Sequence, residues 1–216
     1  MKVGDITRAI EDFAPLSIQE GWDNSGLVIG SEEDEVTGVL VGFDCTRELI
    51  EEAVRRGCNM VVTHHPLIFK GIRHISAREP VGAAVIAAVR HGVAVYAAHT
   101  SADKVIEGVS GAMARKLGLQ NVEFLEPDGE SAGLGCIGDF PEGMTAQEAL
   151  AYVGKAFGLK VIRHSRPVDG TVRRVAVLGG SGGSDIPAAI AAGAQLYITA
   201  DVTYHNFFPP CPAGSR

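Results

Sequence analysis

Val39 to His65 reads VLVGFDCTRELIEEAVRRGCNMVVTHH, and Val175 to Asp201 reads VAVLGGSGGSDIPAAIAAGAQLYITAD. The two stretches align without a gap at a constant offset of 136 residues, Val39 onto Val175 and Thr63 onto Thr199. Val39, Val41, Ala53, Gly57 and Thr63 recur as Val175, Val177, Ala189, Gly193 and Thr199. Apolar Val54, Met60, Val61 and Val62 recur as Ile190, Leu196, Tyr197 and Ile198. This pattern points to an internal duplication of one β-α-β unit. In each copy an apolar strand (Val39–Gly42, Val175–Leu178) leads through a turn into a helix. Thr46 or Asp44 is the candidate N-cap in the first copy, Ser184 or Asp185 in the second. Leu49, Ile50, Ala53 and Val54 make one apolar helical face. Gly57 and Gly193 stand where a left-handed stop belongs. The second strand ends at His64–His65 or at Ala200–Asp201, and the helical crossover makes each strand pair parallel.

Outward from this unit, Val93 to Ala98 reads as a third strand, ending in His99-Thr100-Ser101-Ala102-Asp103. Asp5 to Phe13, Val109 to Leu117 (stopped by Gly118) and Met144 to Phe157 read as helices. The Gly-rich, acidic stretch Glu126 to Gly138 reads as the connection between halves. The expected architecture is α/β: two pseudo-symmetric halves, residues 1–126 and 127–216, facing a shared cleft.

Composition narrows the function. The 216 residues are 46% hydrophobic and 21% charged, with a net charge of −7. A polyanionic nucleic-acid backbone is not the expected partner of such a chain. The start MKVGDITRAIEDF is polar and amphipathic, unlike a signal peptide. The apolar window Val81 to Ala98 is broken by Arg90, His91 and Gly92, so it reads as a helix then a strand and not as a membrane span. Cys45, Cys58, Cys136 and Cys211 are widely spaced, without a C-x-x-C pair; a reducing cytoplasm is the expected setting.

Chemistry concentrates at strand exits. His64 and His65 end the apolar run Met60-Val61-Val62-Thr63 and precede Pro66, which stops regular pairing. Two imidazoles there can offer lone pairs to a metal. Strand neighbours point to opposite faces, so a shared ion requires a turn at that point, or two neighbouring ions. With Asp103, and His99 beside it, the donors are nitrogen and oxygen, suited to zinc, iron, manganese or nickel. A carboxylate bridging two metals would let them act on one water. Through the duplication, Asp201 and His205 become second-half candidates for substrate or supporting contacts. Trp22, Asp23 and Asn24 form a turn with an anchoring aromatic, either packed or walling a cleft. Gly180, Ser181, Gly182 and Gly183, between strand and helix, offer backbone N–H groups to an anion; the loop departs from G-x-G-x-x-G at Ser184 and lacks a P-loop Lys. His74, His91 and His164 read as surface residues.

With these residues in hand, the chain resembles the Nif-three-like dinuclear metal centre family, the GTP cyclohydrolase I type 2 homologues. WDNSGLVIG, VVTHHPLIF, HTSAD, GLGCIG and ITADVTYH carry the resemblance, from about Trp22 to His205. It implies two related α/β halves, up to two divalent metal ions per chain held by His64, His65 and Asp103, and a homohexameric toroid. In the usual H-T-N-L-D motif, Ser101 and Ala102 replace the middle pair here. A Gly-His-x-x-x-Glu segment that supplies further ligands has no counterpart before Arg216. The expectation is a second half short of its last strand and a partly filled ligand set. Two functions follow: a metal-dependent hydrolase of a small phosphorylated or nucleotide-like substrate, or a non-catalytic metal-binding or protein-interaction module. A metal-independent nucleotide binder using Gly179 to Ser184 is the third reading.

Overall fold

Short apolar runs set the first sheet, and successive strand side chains point to its opposite faces. The computed structural model describes residues 1–167 and 169–208; Cys211 and the other residues of 209–216 lie outside them. From the N-terminus the chain forms α1 (Val3–Phe13), β1 (Gly26–Ile29), β2 (Val39–Gly42), α2 (Arg47–Arg55), β3 (Met60–Thr63), α3 (Pro80–His91), β4 (Ala94–Ala97) and α4 (Thr100–Asp103). It continues with α5 (Val109–Lys116), β5 (Gln120–Asp128), β6 (Ala132–Thr145), α6 (Ala146–Phe157), β7 (Thr171–Ser181), α7 (Ile186–Ala191) and β8 (Leu196–Ala200). No described helix is long and apolar enough to cross a membrane.

The chain divides into two compact units, Met1–Lys104 and the remainder from Val105. The division therefore precedes the expected boundary at 126, which falls inside β5. That strand pairs with β6 from Gln120↔Asp139 to Asp128↔Ala132, so residues 105–126 belong to the second unit.

In the first unit the strand order is β1-β4-β3-β2. β2, β3 and β4 are parallel, and β1 closes the other edge antiparallel to β4. Val61 and Val95 face Ile50 and Ala53 of α2 and Ala84, Val85 and Ala88 of α3. Met60 and Tyr96 point the other way, onto Val3, Ile6 and Ile10 of α1. Both faces of the central strands β3 and β4 are covered, which is why these two are apolar almost throughout, whereas β2 at the sheet edge leaves Val39 and Val41 exposed.

The second unit has the order β5-β6-β7-β8. Its one parallel pair repeats the first copy's register: Val39↔Met60 and Val41↔Val62 become Val175↔Leu196 and Val177↔Ile198. Gly57 and Gly193 have φ of 71° and 75°, as the helix stops require. Each is followed by the same closing bond, Cys58 N–H to Ala53 O at 2.8 Å and Ala194 N–H to Ala189 O at 3.0 Å. A further match lies in side chains. Asn59 accepts from Thr37 N–H at 2.8 Å and donates to Glu35 O at 2.7 Å. Gln195 accepts from Arg173 N–H at 2.7 Å and donates to Thr171 O at 2.9 Å. At the same offset, an amide staples the entry of the preceding strand.

Other elements depart from the sequence reading. The stretch expected to connect the halves is a β-hairpin, with Glu126↔Leu134 and Pro127↔Gly133 paired across it. Glycine serves close packing there and not flexibility: a Cβ on Gly133 would lie 2.7 Å from Glu126 O. Thr46, not Asp44, caps α2 by accepting from Leu49 N–H at 3.2 Å. In the second copy Asp185 stands at the N-cap of α7 without a side-chain cap bond, after a 3-10 turn at Gly183–Asp185.

Asn59→Ala is expected to lower stability by about 0.5–1.5 kcal/mol, since Thr37 N–H and Glu35 O lose their hydrogen bonds to its amide. A reduced urea midpoint with an unchanged slope would register it.

Candidate metal centre

Thr63 and Ala97 are paired in the β3–β4 register, so both strands end on one line. Ala98 N–H still donates to Thr63 O at 2.9 Å, and the chain then turns. The Thr63 hydroxyl donates to His65 O at 2.8 Å, and His65 N–H to Phe43 O at 3.1 Å. The turn brings the His64 and His65 rings to a centroid separation of 5.0 Å, where a straight strand would have parted them. His99, leaving β4, sits 5.3 Å from the first ring and 5.5 Å from the second. One ligand nitrogen from each of His64, His65 and His99 falls within 4.8 Å of the others. The sequence reading had placed His99 only beside the site; the structure places it with the pair.

Each ring has a second nitrogen to satisfy. His65 Nδ1 lies 2.7 Å from Asp44 Oδ1, and His99 Nδ1 lies 2.8 Å from Asp23 Oδ1. The His64 ring bonds the Ala98 backbone. Burial lowers the His64 pKa, and the neighbouring His99 and His65 rings lower it further. Burial alone would raise Asp23, but hydrogen bonds from Thr100, His99 and Asn24 outweigh it and hold the carboxyl well below the usual carboxylate range. Asp103 Oδ2 lies 3.8 Å from His64 Nε2. Burial pushes this carboxyl up to about 6; His99 opposes the rise and Asp23 adds to it.

Three aromatic side chains border the cluster. Phe43 stacks on His64 at 5.5 Å and meets His65 edge-on at 4.6 Å. Phe69 and Trp22 lie 6.0 and 6.1 Å from His99 and 5.8 Å from each other. Trp22 is 60% exposed, so it borders the site and is no core residue. Phe43 and Phe69 are not singled out by the sequence; Phe43 meets the His64 and His65 rings, whereas Phe69 meets His99 and Trp22. Asn24 holds the neighbouring segment by donating to Ile68 O at 2.6 Å. Ser101, at the position where the motif departs, is fully buried, and its Oγ has no hydrogen-bond partner among the described residues.

The remaining candidates belong to the second unit. Asp201 leaves β8 with φ of 51°, and His205 follows in a 3-10 turn, its ring against Tyr204 at 5.4 Å. The glycine loop is tied internally. Gly182 N–H donates to Thr199 Oγ1 at 3.0 Å, the Tyr197 hydroxyl to Gly182 O at 2.9 Å, and Asn206 to Gly183 O at 3.1 Å. Asp185 lies in the 3-10 turn that begins at Gly183, and its carboxylate accepts from the Ser184 hydroxyl at 2.6 Å. His74, His91 and His164 are exposed. Cys45, Cys58 and Cys136 are free thiols.

A sequence profile of the Duf34/NIF3 (NGG1p interacting factor 3) family matches residues 1–211. The chain belongs to the DUF34/NIF3 family. This NIF3-family chain is 34% identical over 208 residues to a "GTP cyclohydrolase 1 type 2 homolog" of Clostridium acetobutylicum, spanning 95% of this chain and 78% of that protein. A homologue of the same name from Clostridium perfringens is 33% identical over 95% of this chain and 79% of its own length. Among solved structures, a Bacillus cereus protein related to NIF3 superposes with a TM-score of 0.90 at 25% identity, over 96% of this chain and 84% of the other. A Staphylococcus aureus protein does so at 0.88 and 27%, covering 96% and 81%.

Thr100→Val is expected to cost about 1–3 kcal/mol, because the buried Thr100 hydroxyl donates to Asp23 and accepts from Glu20 N–H at 2.9 Å. Chemical denaturation of the two proteins side by side measures the loss.

Proposed function

We propose that this chain is a metal-dependent hydrolase of a small phosphorylated or nucleotide-like substrate, its metal held by His64, His65, His99 and Asp103. One observation carries the reading: three imidazole nitrogens within 4.8 Å of one another, each ring engaged at a second atom by Asp44, Asp23 or the Ala98 backbone. Metal-binding histidines characteristically have such partners, which orient the ring and fix its tautomer. The lowered pKa of His64 suits the role, since only an unprotonated nitrogen can ligate.

Nitrogen donors with one carboxylate favour zinc, iron, manganese or nickel over magnesium or calcium. Up to two divalent ions per chain fit the family resemblance, and Asp103, 3.8 Å from His64, would supply a carboxylate ligand. When bound, the metal supplies Lewis-acid polarisation of a substrate oxygen or of water. The chain's own residues supply the rest. Asp23 and Asp44 hold their histidines in place. Phe43, Phe69 and Trp22, all solvent-exposed, offer aromatic faces on which a planar base could stack. The names of the Clostridium homologues support a nucleotide-like substrate in the same direction. Assembly into a homo-oligomeric ring belongs to the same reading and is measured by light scattering.

Purification without chelator followed by elemental analysis tests the proposal. About one to two divalent ions per chain are expected, falling sharply in His65→Ala and His99→Ala, together with turnover of at least one member of a nucleotide and phosphoester panel. Near-zero metal, unchanged by either substitution, would overturn it. Metal without turnover across the panel would assign the non-catalytic binding module instead.

A further inference from the structure

We infer that Asp23 is a positioning residue that locks His99 in its Nδ1–H tautomer and so reserves Nε2 for binding; the inference rests on the metal reading of this site. The Asp23 side chain is 0% exposed, so no solvent competes for its oxygens. Oδ1 accepts from Asn24 N–H at 2.7 Å and lies 2.8 Å from His99 Nδ1. Oδ2 accepts from Thr100 N–H at 3.0 Å, from the Ser25 hydroxyl at 2.8 Å and from the Thr100 hydroxyl.

The two backbone N–H groups, one on each oxygen, can only donate. The Thr100 hydroxyl accepts from Glu20 N–H at 2.9 Å, which turns its own hydrogen toward Asp23. Both carboxylate oxygens are therefore acceptors, and the proton shared with His99 belongs to Nδ1. A neutral imidazole protonated there has its lone pair on Nε2. Asp44 makes a similar bond to His65 at 2.7 Å, but its side chain is 63% exposed and water can replace it. Asp23 is the partner with no such substitute. The Trp22-Asp23-Asn24 motif thereby acquires a task distinct from packing: residues far upstream of the His pair set which nitrogen of His99 is available.

Asp23→Asn separates this role from a merely structural one. The amide oxygen is expected to turn toward the side with three donors, Thr100 N–H and the two hydroxyls. The NH₂ group then faces His99, whose Nδ1 must accept and whose proton moves to Nε2. Long-range ¹H–¹⁵N spectra of the metal-free protein at about pH 8, above the ordinary histidine range, read this directly. The His99 signal is identified by its loss in His99→Gln. The expected result is an Nδ1–H tautomer in the unsubstituted chain, an Nε2–H tautomer in Asp23→Asn, and zinc affinity lower by about 10–100-fold in the variant. An Nε2–H tautomer in the unsubstituted chain would overturn the inference whether or not the variant folds. So would an Asp23→Asn protein that keeps both the Nδ1–H tautomer and the original zinc affinity. A tautomer that switches as expected while neither protein binds zinc leaves the role of Asp23 standing and removes the metal reading.

Discussion

The parallel, in-register pairing of β2, β3 and β4 is the constraint on which the site depends. Parallel strands end at one edge of the sheet, and ligand sites of open α/β sheets gather there. Here the edge is sharply aligned: Gly42 pairs with Thr63, and Thr63 with Ala97. Phe43, His64 and Ala98 therefore leave the sheet side by side. Local bonds convert that alignment into a cluster. His65 N–H reaches back to Phe43 O, and the Thr63 hydroxyl reaches forward to His65 O. A slip of one residue in either strand would turn the alternate side chains inward and separate the rings.

The second constraint is electrostatic. Burying three imidazoles and two carboxyls near one another costs free energy unless every group has a partner. The chain meets that cost unevenly. Asp23, wholly buried, collects donors from Asn24, Ser25, His99 and Thr100. Asp103 has a long 3.8 Å approach to His64 and is pushed up to about 6 by burial.

Duplication supplied the scaffold twice, yet its two copies differ in sheet context. Strand register, the left-handed glycine stops and the Asn59 or Gln195 staple are common to both. In the first sheet β3 lies between two parallel neighbours, whereas its counterpart β8 stands at the end of the β5-β6-β7-β8 order. The residues at the equivalent exits differ as well, His64–His65 against Ala200–Asp201. One backbone solution therefore carries different chemistry in each unit.

Much of this was legible in residue order. Short apolar runs, glycine stops and the ungapped repeat identified β2, α2, β3, β7 and β8, because these signals are local and set by backbone geometry. His64, His65 and Asp103 stood out for the same reason, as polar residues ending apolar strands. The hairpin over Glu126 to Gly138 was hidden because glycines that admit close strand packing look like glycines that confer flexibility. His99 was legible only as a neighbour of Asp103 at a strand exit, and the aromatic border of Phe43 and Phe69 and the grip of Asp23 on His99 were not legible at all. Each joins residues distant in the chain, Asp23 to His99 among them, and depends on strand register and on the turn after Thr63. Pairing geometry of that kind is a property of the folded sheet, where burial and directional hydrogen bonds choose among partners that composition and spacing leave equivalent.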